Sequence, residues 1–357
     1  MRNGRPLPKR YIIETTYFFK SQKFYSLFAS VFNAGIALVT FSLLARALSK
    51  EDFGNWAFFL AIYGFIEMAM NGLVRTPVIR MAANTEDYNY EEVLSSAWGI
   101  LVRISLILSA IAISGSLLLY FLTDKEVLYF QFAYWLPLYI IVSVPSLIGI
   151  WNCNALIKFQ RILVIRATTV VVFLAGILLL YYNGGSLEQV YWRYLIATAA
   201  ASLLTLLMGW TSVKFFFKRP ATYMKEIINF GKYSMGTTLG ANGLNSSDVF
   251  IIRYFLGAEA LAFYEVPKRI LRLYDIPLRS ILQISYPHFA KSFGKLSADK
   301  FRHEFNKISG FTFFMMLPVA ILIFAFAEPI VELLGGAEYT GSASILRVFS
   351  VYMALTP

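Results

Sequence analysis

The chain is partitioned into apolar runs, most of them near the ~20 residues that a helix needs to cross the hydrocarbon of a bilayer. Nine such spans and the start of a tenth are read: 24–48, 56–79, 97–122, 129–151, 167–182, 191–217, 233–255, 262–290 and 308–334, then a stretch from 342 to Pro357. A bilayer core offers no water to the backbone, so each span must satisfy its own N–H and C=O groups. The predicted fold class is therefore an all-α polytopic membrane protein with about ten helices. The last stretch is too short for a finished span, so the chain is expected to be C-terminally incomplete.

Composition agrees with that frame. The 357 residues are 58% hydrophobic and 15% charged, with mean hydropathy +0.60. Soluble domains carry about 25% charged residues. Cys153 is the one cysteine, and His288 and His303 are the two histidines, so no disulfide, metal centre or cofactor is expected. The net charge of +11 is read as loops facing anionic lipid plus charges inside the bundle, not as a nucleic-acid surface. The basic tail MRNGRPLPKRYIIETTYFFKSQK has no cleavable signal pattern and is expected to be cytoplasmic. With that tail inside, alternate loops concentrate Lys and Arg, as in Lys158, Arg161, Arg166, Lys214, Lys218, Arg219, Lys225 and Lys232. The opposite loops hold only Arg46, Lys50, Lys125, Arg193 and Arg253. This asymmetry puts the N-terminus on the cytoplasmic side.

One span breaks the apolar rule. Residues 262–290, AFYEVPKRILRLYDIPLRSILQISYPHFA, include Glu265, Lys268, Arg269, Arg272, Asp275 and Arg279. On an ideal helix Glu265, Lys268, Arg272, Asp275, Arg279, Gln283 and Tyr286 share an arc of roughly 80°. Six ionisable residues cost roughly 15–20 kcal/mol at mid-membrane, and the large apolar side chains return about 3–7. Such a helix cannot face lipid all round. Either the stripe lines a wet cavity in the bundle, or the segment lies flat on the membrane surface. Ion pairing of Glu265 with Lys268 or Arg269, and of Asp275 with Arg272 or Arg279, is the structural alternative. The cavity is the favoured reading, because charges inside membrane bundles usually mark a transport path.

Three other spans carry polar stripes. The first has Ser26, Ser30, Asn33 and Thr40; the second has Tyr63, Glu67, Asn71 and Arg75 at four-residue intervals. The seventh has Ser234, Thr238, Asn242, Asn245 and Asp248, interleaved with glycines. Small polar residues such as Ser30 and Asn33 also suit tight helix packing. LSKEDFGNW (48–56) is echoed by LGAEALAFY (256–264), which pairs spans one and two with spans seven and eight. Internal repeats of this size are a common transporter plan. The basic loop 214–232 would join a tail-plus-N-lobe, residues 1–217, to a partial C-lobe, residues 218–357.

LLARALSKEDFGNWAFFLAIYGF, LGAEALAFYEVPKRI and ISYPHFAK resemble the polysaccharide-biosynthesis flippases, the Wzx-type transporters of lipid-linked oligosaccharides within the multidrug/oligosaccharidyl-lipid/polysaccharide exporter superfamily. The resemblance implies a two-lobed bundle of twelve or fourteen helices in full, with a cavity lined by spans one, two, seven and eight. It implies a cargo of undecaprenyl-pyrophosphate-linked oligosaccharide, flipped across the cytoplasmic (inner) membrane. Lys and Arg supply the charge-assisted hydrogen bonds that a pyrophosphate needs. The candidates for the headgroup are Lys268, Arg272, Arg279 and Arg75. Arg269 is off the stripe centre and suited to snorkelling or to pairing with Glu265. Glu67, Asp248 and Asp275 are candidates for a coupling H+ or Na+, or for neutralising neighbouring cations. Asn33, Asn71, Asn242 and Asn245 are candidate polar lining. No catalytic group is expected. The rival readings are a lipid II flippase, a multidrug antiporter, and a membrane glycosyltransferase or polymerase, for which the loop acids do not cluster suitably.

Overall fold

The computed structural model describes residues 34–84, 86–123, 126–292 and 298–356. Among them every regular element is helical. Helix α1 is described over Ala34–Ala47. It is followed by α2 (Lys50–Met70), a π-turn (Asn71–Arg75), α3 (Thr76–Ala83), α4 (Tyr90–Leu122), α5 (Val127–Ala155) and α6 (Phe159–Asn183). Then come α7 (Leu187–Leu207), α8 (Lys214–Lys218), α9 (Met224–Ser292), α10 (Ala298–Ala325), α11 (Ala327–Gly335), a 3₁₀ turn (Ala337–Ser342) and α12 (Ala343–Leu355). Six described helical stretches are long and apolar enough to span a membrane. The chain is a multi-pass membrane protein.

Boundaries differ from the sequence expectation where local chemistry stops a helix. The sixth span was expected to reach residue 217, but α7 ends at Leu207. Gly209 takes φ 65°, its N–H bonds Leu206 O at 3.0 Å and that of Trp210 bonds Thr205 O at 3.0 Å. This is the Schellman cap that a glycine at this position favours. The ninth span was expected as one helix over 308–334 and is two, broken at Phe326. Pro329 cannot bond the carbonyl four residues back, so the helix restarts with the proline in its first turn. Spans seven and eight both lie in α9, 69 residues long, and the break between them is Gly257 at φ 88°, ψ −177°.

The chain forms two compact units, Met1–Thr40 with Phe59–Phe250, and Phe41–Phe58 with Ile251–Pro357. In the first unit α5 packs on α4 and α7, and α6 on α7. Hydrophobicity does not drive helix association within lipid, so packing and interhelical hydrogen bonds must. Phe59, Phe132, Trp135, Tyr139 and Tyr191 supply a fully buried aromatic cluster, with Phe59 and Tyr191 centroids 4.7 Å apart. Tyr139 hydroxyl donates to Tyr191 O, and Ser202 Oγ donates to Val142 O at 2.6 Å. The segment after α7 is fastened to α4: Trp98 Nε1 donates to Thr211 O at 3.0 Å, and Ser95 Oγ to Arg219 O at 2.8 Å. Arg219 Nε donates to Glu91 Oε2 at 2.6 Å, and Tyr223 N–H to Ser96 Oγ at 3.0 Å. Asn152 at the end of α5 donates to Trp210 O at 2.8 Å, and Arg161 at the start of α6 stacks over the Trp210 ring. These bonds gather the first turns of α4 and the 152–161 and 208–223 segments at one end of the unit.

In the second unit α10 packs on α12. Arg46 Nη2 donates to Glu332 O and Leu333 O, at 3.3 and 2.8 Å, and so caps the C-terminus of α11. The two echoed segments meet here. A Cβ on Gly54 would lie 1.9 Å from Ala258 O, and Lys50 Nζ sits 5.2 Å over the Phe263 ring. The echo is also structural, since the break at Leu48–Ser49 and the break at Gly257 precede the two matched helices.

Candidate functional site

The charge stripe of residues 262–290 folds as helix, with Glu265 as its electrostatic centre. Glu265 and Lys268 are both buried, and Lys268 Nζ lies 3.8 Å from Glu265 Oε1. Arg272 Nη2 donates to Glu265 Oε2 at 3.4 Å, from a side chain left half exposed. The triad therefore keeps one net positive charge. Lys268 Nζ also lies 5.2 Å over the Tyr264 ring. Arg269 is partly buried and stacks over Phe41 at 5.3 Å, not on Glu265. Asp275 is partly buried one turn beyond Arg272. Arg279 is helical, and its side chain lies outside the described residues.

The second polar stripe is in the first unit. The π-turn Asn71–Arg75 follows the end of α2, beginning four residues after Glu67. Its cause is visible in the sequence: Pro77 has no N–H for the Leu73 carbonyl and would crowd it. π-turns recur at functional sites. Asn71 Nδ2 donates to Glu67 O at 3.0 Å and to Glu67 Oε1 at 3.4 Å. Asn71 Oδ1 accepts from Trp151 Nε1 at 2.9 Å. Arg166 and Arg75 lie near enough to act electrostatically on Glu67, as Glu67 does on Tyr63 and Tyr194. Arg75 itself is exposed.

The stripe of the seventh span is only partly described. Asp248 is partly buried, and its Oδ1 accepts the N–H of Val249 at 2.8 Å. Asn33 lies outside the described residues, as do the side chains of Asn242 and Asn245. The structure thus brings Lys268, Arg272 and Glu265 together in one unit, and Glu67, Asn71, Arg75 and Arg166 in the other. Trp151, Arg166 and Phe41 were not among the sequence candidates. Sequence alone places Arg166 in a loop, ahead of the apolar run, yet it lies within α6. Nothing in a single sequence links Trp151 to Asn71, 80 positions away.

A helical membrane bundle with ionisable groups buried in its helices defines a class, and solved structures supply its fold. An inward-facing multidrug-resistance MATE family transporter of the MOP superfamily matches at TM-score 0.70 and 15% identity, over 91% of this chain and 78% of that one. A MOP-superfamily transporter from Pyrococcus furiosus, described by the reverse polarity of its binding pocket, matches at TM-score 0.56 and 15% identity, over 93% and 77%. The fold is that of these transporters. The chain belongs to the polysaccharide biosynthesis protein family, whose match covers residues 43–344. Among its relatives is a probable low-salt glycan biosynthesis flippase, Agl15, of Haloferax volcanii, 21% identical over 324 residues. The match takes in 90% of this chain and 66% of that protein, so this chain spans about two thirds of the length of its archaeal relative. A putative O-antigen transporter of Shigella flexneri is 24% identical over 354 residues, 92% of this chain and 79% of that one.

Proposed function

We propose that the protein flips a lipid-pyrophosphate-linked oligosaccharide across the cytoplasmic membrane by alternating access. The observation that carries this reading is the Glu265–Lys268–Arg272 triad, which keeps a net positive charge inside a long helix of a membrane protein. Its family is one of polysaccharide biosynthesis, with relatives named for glycan flipping and O-antigen transport. Buried cations are costly in a membrane, and an anionic headgroup is the cargo that offsets that cost. Lys268, Arg269, Arg272, Arg279 and Arg75 are the proposed headgroup cations. Asn33, Asn71, Asn242 and Asn245 are the proposed polar lining. Residues 1–217 and 218–357 are the proposed lobes, with the N-terminus cytoplasmic. Glu67, Asp248 and Asp275 are the proposed sites for a coupling H+ or Na+. The protein performs no chemistry on the cargo in this reading.

The test is complementation in a bacterium lacking its own O-antigen flippase, following surface polysaccharide and the lipid-linked intermediate at matched protein levels. Wild type should restore surface polysaccharide, and Arg272→Ala should trap the intermediate on the cytoplasmic side. Normal export by Arg272→Ala overturns the site assignment. A wild type that exports no lipid-linked sugar but lowers drug sensitivity replaces this reading with a multidrug antiporter.

A further inference from the structure

The level of the membrane can be read along α4. Its 33 residues rise about 50 Å, more than the ~30 Å of a bilayer core. Its large apolar side chains left exposed run from Val102 to Leu122, a rise of about 30 Å. The helix from Tyr90 to Leu101 therefore stands beyond the hydrocarbon, and residues 211–224 wrap around it as a belt. Trp98 Nε1 donates to Thr211 O, Ser95 Oγ to Arg219 O, and Tyr223 N–H to Ser96 Oγ. Ser95, Ser96 and Trp98 belong to one turn of α4, so the belt crosses the helix about 6–10 Å beyond Val102, at the depth of lipid headgroups. Within the belt, Phe215 and Phe216 turn inward onto the Tyr90 and Trp98 rings. Phe217 is 79% exposed, between the exposed Lys214 and Lys218.

Arg103 stands where the apolar run of α4 begins. It is exposed, and Leu106 and Ile107, three and four residues on, are exposed on the same face of the helix. A guanidinium on a lipid-facing surface is costly unless it reaches the interface or an anion. Arg103 Nη1 donates to Met224 Sδ at 3.2 Å, which draws the guanidinium toward the end of the belt. A thioether is a weak and neutral acceptor, so this contact leaves the charge in place.

We propose that Arg103 and the belt form a binding site for an anionic phospholipid. Its phosphate engages Arg103 at the edge of the hydrocarbon, and its acyl chains run over Leu106 and Ile107. Lys214 and Lys218 face the headgroup layer, and Phe217 enters the boundary between headgroups and chains. A free phosphate would leave the apolar turn below Arg103 uncovered, and an uncharged chain would leave the guanidinium without an anion. A phospholipid supplies both. A zwitterionic headgroup brings its own ammonium toward Lys214 and Lys218, so the site favours a headgroup of net negative charge. The site is independent of the cargo reading above and of which side of the membrane this end faces.

The experiment uses the full chain, stripped of lipid in detergent. It is titrated with palmitoyl-oleoyl phosphatidylglycerol or with the phosphatidylcholine of the same chains, and binding is read by native mass spectrometry. Wild type should bind the phosphatidylglycerol at least about fivefold more tightly. Arg103→Ala should bring the two lipids to within about twofold, and Arg103→Lys should keep part of the preference. Phe217→Ala should weaken both lipids alike, since its contribution is apolar. Lys300→Ala, which removes an exposed cation in the first turn of α10, should match wild type. If Arg103→Ala fails to fold, Arg103→Gln, which keeps a donor for Met224 without the charge, makes the same comparison. Equal binding of the two lipids by wild type overturns the proposal. So does a preference that survives intact in the folded Arg103 variants without charge.

Discussion

At the scale of single residues, Trp151 and Asn71 show what spacing reveals and what it hides. The intervals Tyr63, Glu67, Asn71 and Arg75 mark a polar helix face in the sequence itself. The partner that fixes Asn71 is Trp151, 1% exposed, at a position that no periodicity connects to it. Trp151→Phe leaves Asn71 Oδ1 without its donor, and an unsatisfied buried acceptor costs about 1–3 kcal/mol. The expected result is a lower melting temperature in detergent, with Asn71 freed to turn from Glu67. An unchanged melting temperature would show that the bond contributes nothing to stability. The same contrast holds in the second charged stripe. Helical spacing predicts that Glu265 can meet Lys268 or Arg269, and the helix realises Lys268 and adds Arg272. Arg269 stacks on Phe41 instead, a contact that sequence cannot foresee because it joins residues 228 positions apart.

At the scale of elements, the close helix crossings depend on glycine. A Cβ on Gly231 would sit 1.8 Å from Leu73 O, the carbonyl that Pro77 cannot serve. One on Gly72 would sit 2.7 Å from Met235 Cα. Backbone atoms cannot swing aside, so Gly231→Ala must push α9 off the π-turn. Overpacking of this kind costs about 1–3 kcal/mol or more. Gly236, one turn and a half further along α9, has open space at its Cβ position, so Gly236→Ala should gain up to about 1 kcal/mol from helix propensity. Thermal melts of both variants decide the point, and equal effects would refute the crossing. The glycines are readable in sequence, but which of them touches backbone is not.

The contact between the turn before α4 and the first turn of α9 carries a pH signature of its own. Tyr88 hydroxyl donates to Glu226 Oε1 at 2.6 Å, and that bond raises the tyrosine above its usual 10.0. A group whose folded pKa is raised contributes fully below its unfolded value, and that contribution fades as pH rises through the folded one. Tyr88→Phe should therefore melt below wild type at about pH 8, and the gap should close as the pH rises beyond the tyrosine's ordinary 10.0. A gap that stays constant across that window would place the stabilisation elsewhere.

At the scale of the whole molecule, the all-helical, multi-pass architecture is legible in the sequence, because hydropathy and helix length are one-dimensional quantities. The breaks are partly legible: Gly209, Gly257 and Pro329 stand in the sequence, yet the apolar runs continue through Gly209 and Pro329. What alternation cannot supply is which side is which, and the first unit makes that a sharp question. Its bonds join the first turns of α4 and the 152–161 and 208–223 segments at one end, where Lys158, Lys214, Lys218 and Arg219 are all exposed. Glu126 and Ser186 sit at the turns that connect the other ends of the same helices. Juxtamembrane Lys and Arg are retained on the cytoplasmic side, where the leaflet is anionic. Cys153 is 1% exposed, so replacing it by Ser gives a background in which any new cysteine reports alone. In that background Lys218→Cys should react with a membrane-impermeant maleimide only after the cells are opened. Glu126→Cys and Ser186→Cys should react in intact cells. The reverse pattern would put the basic end outside, and an alternating-access cycle that loads its anionic cargo from the cytoplasm would then have to begin at the opposite end of the bundle.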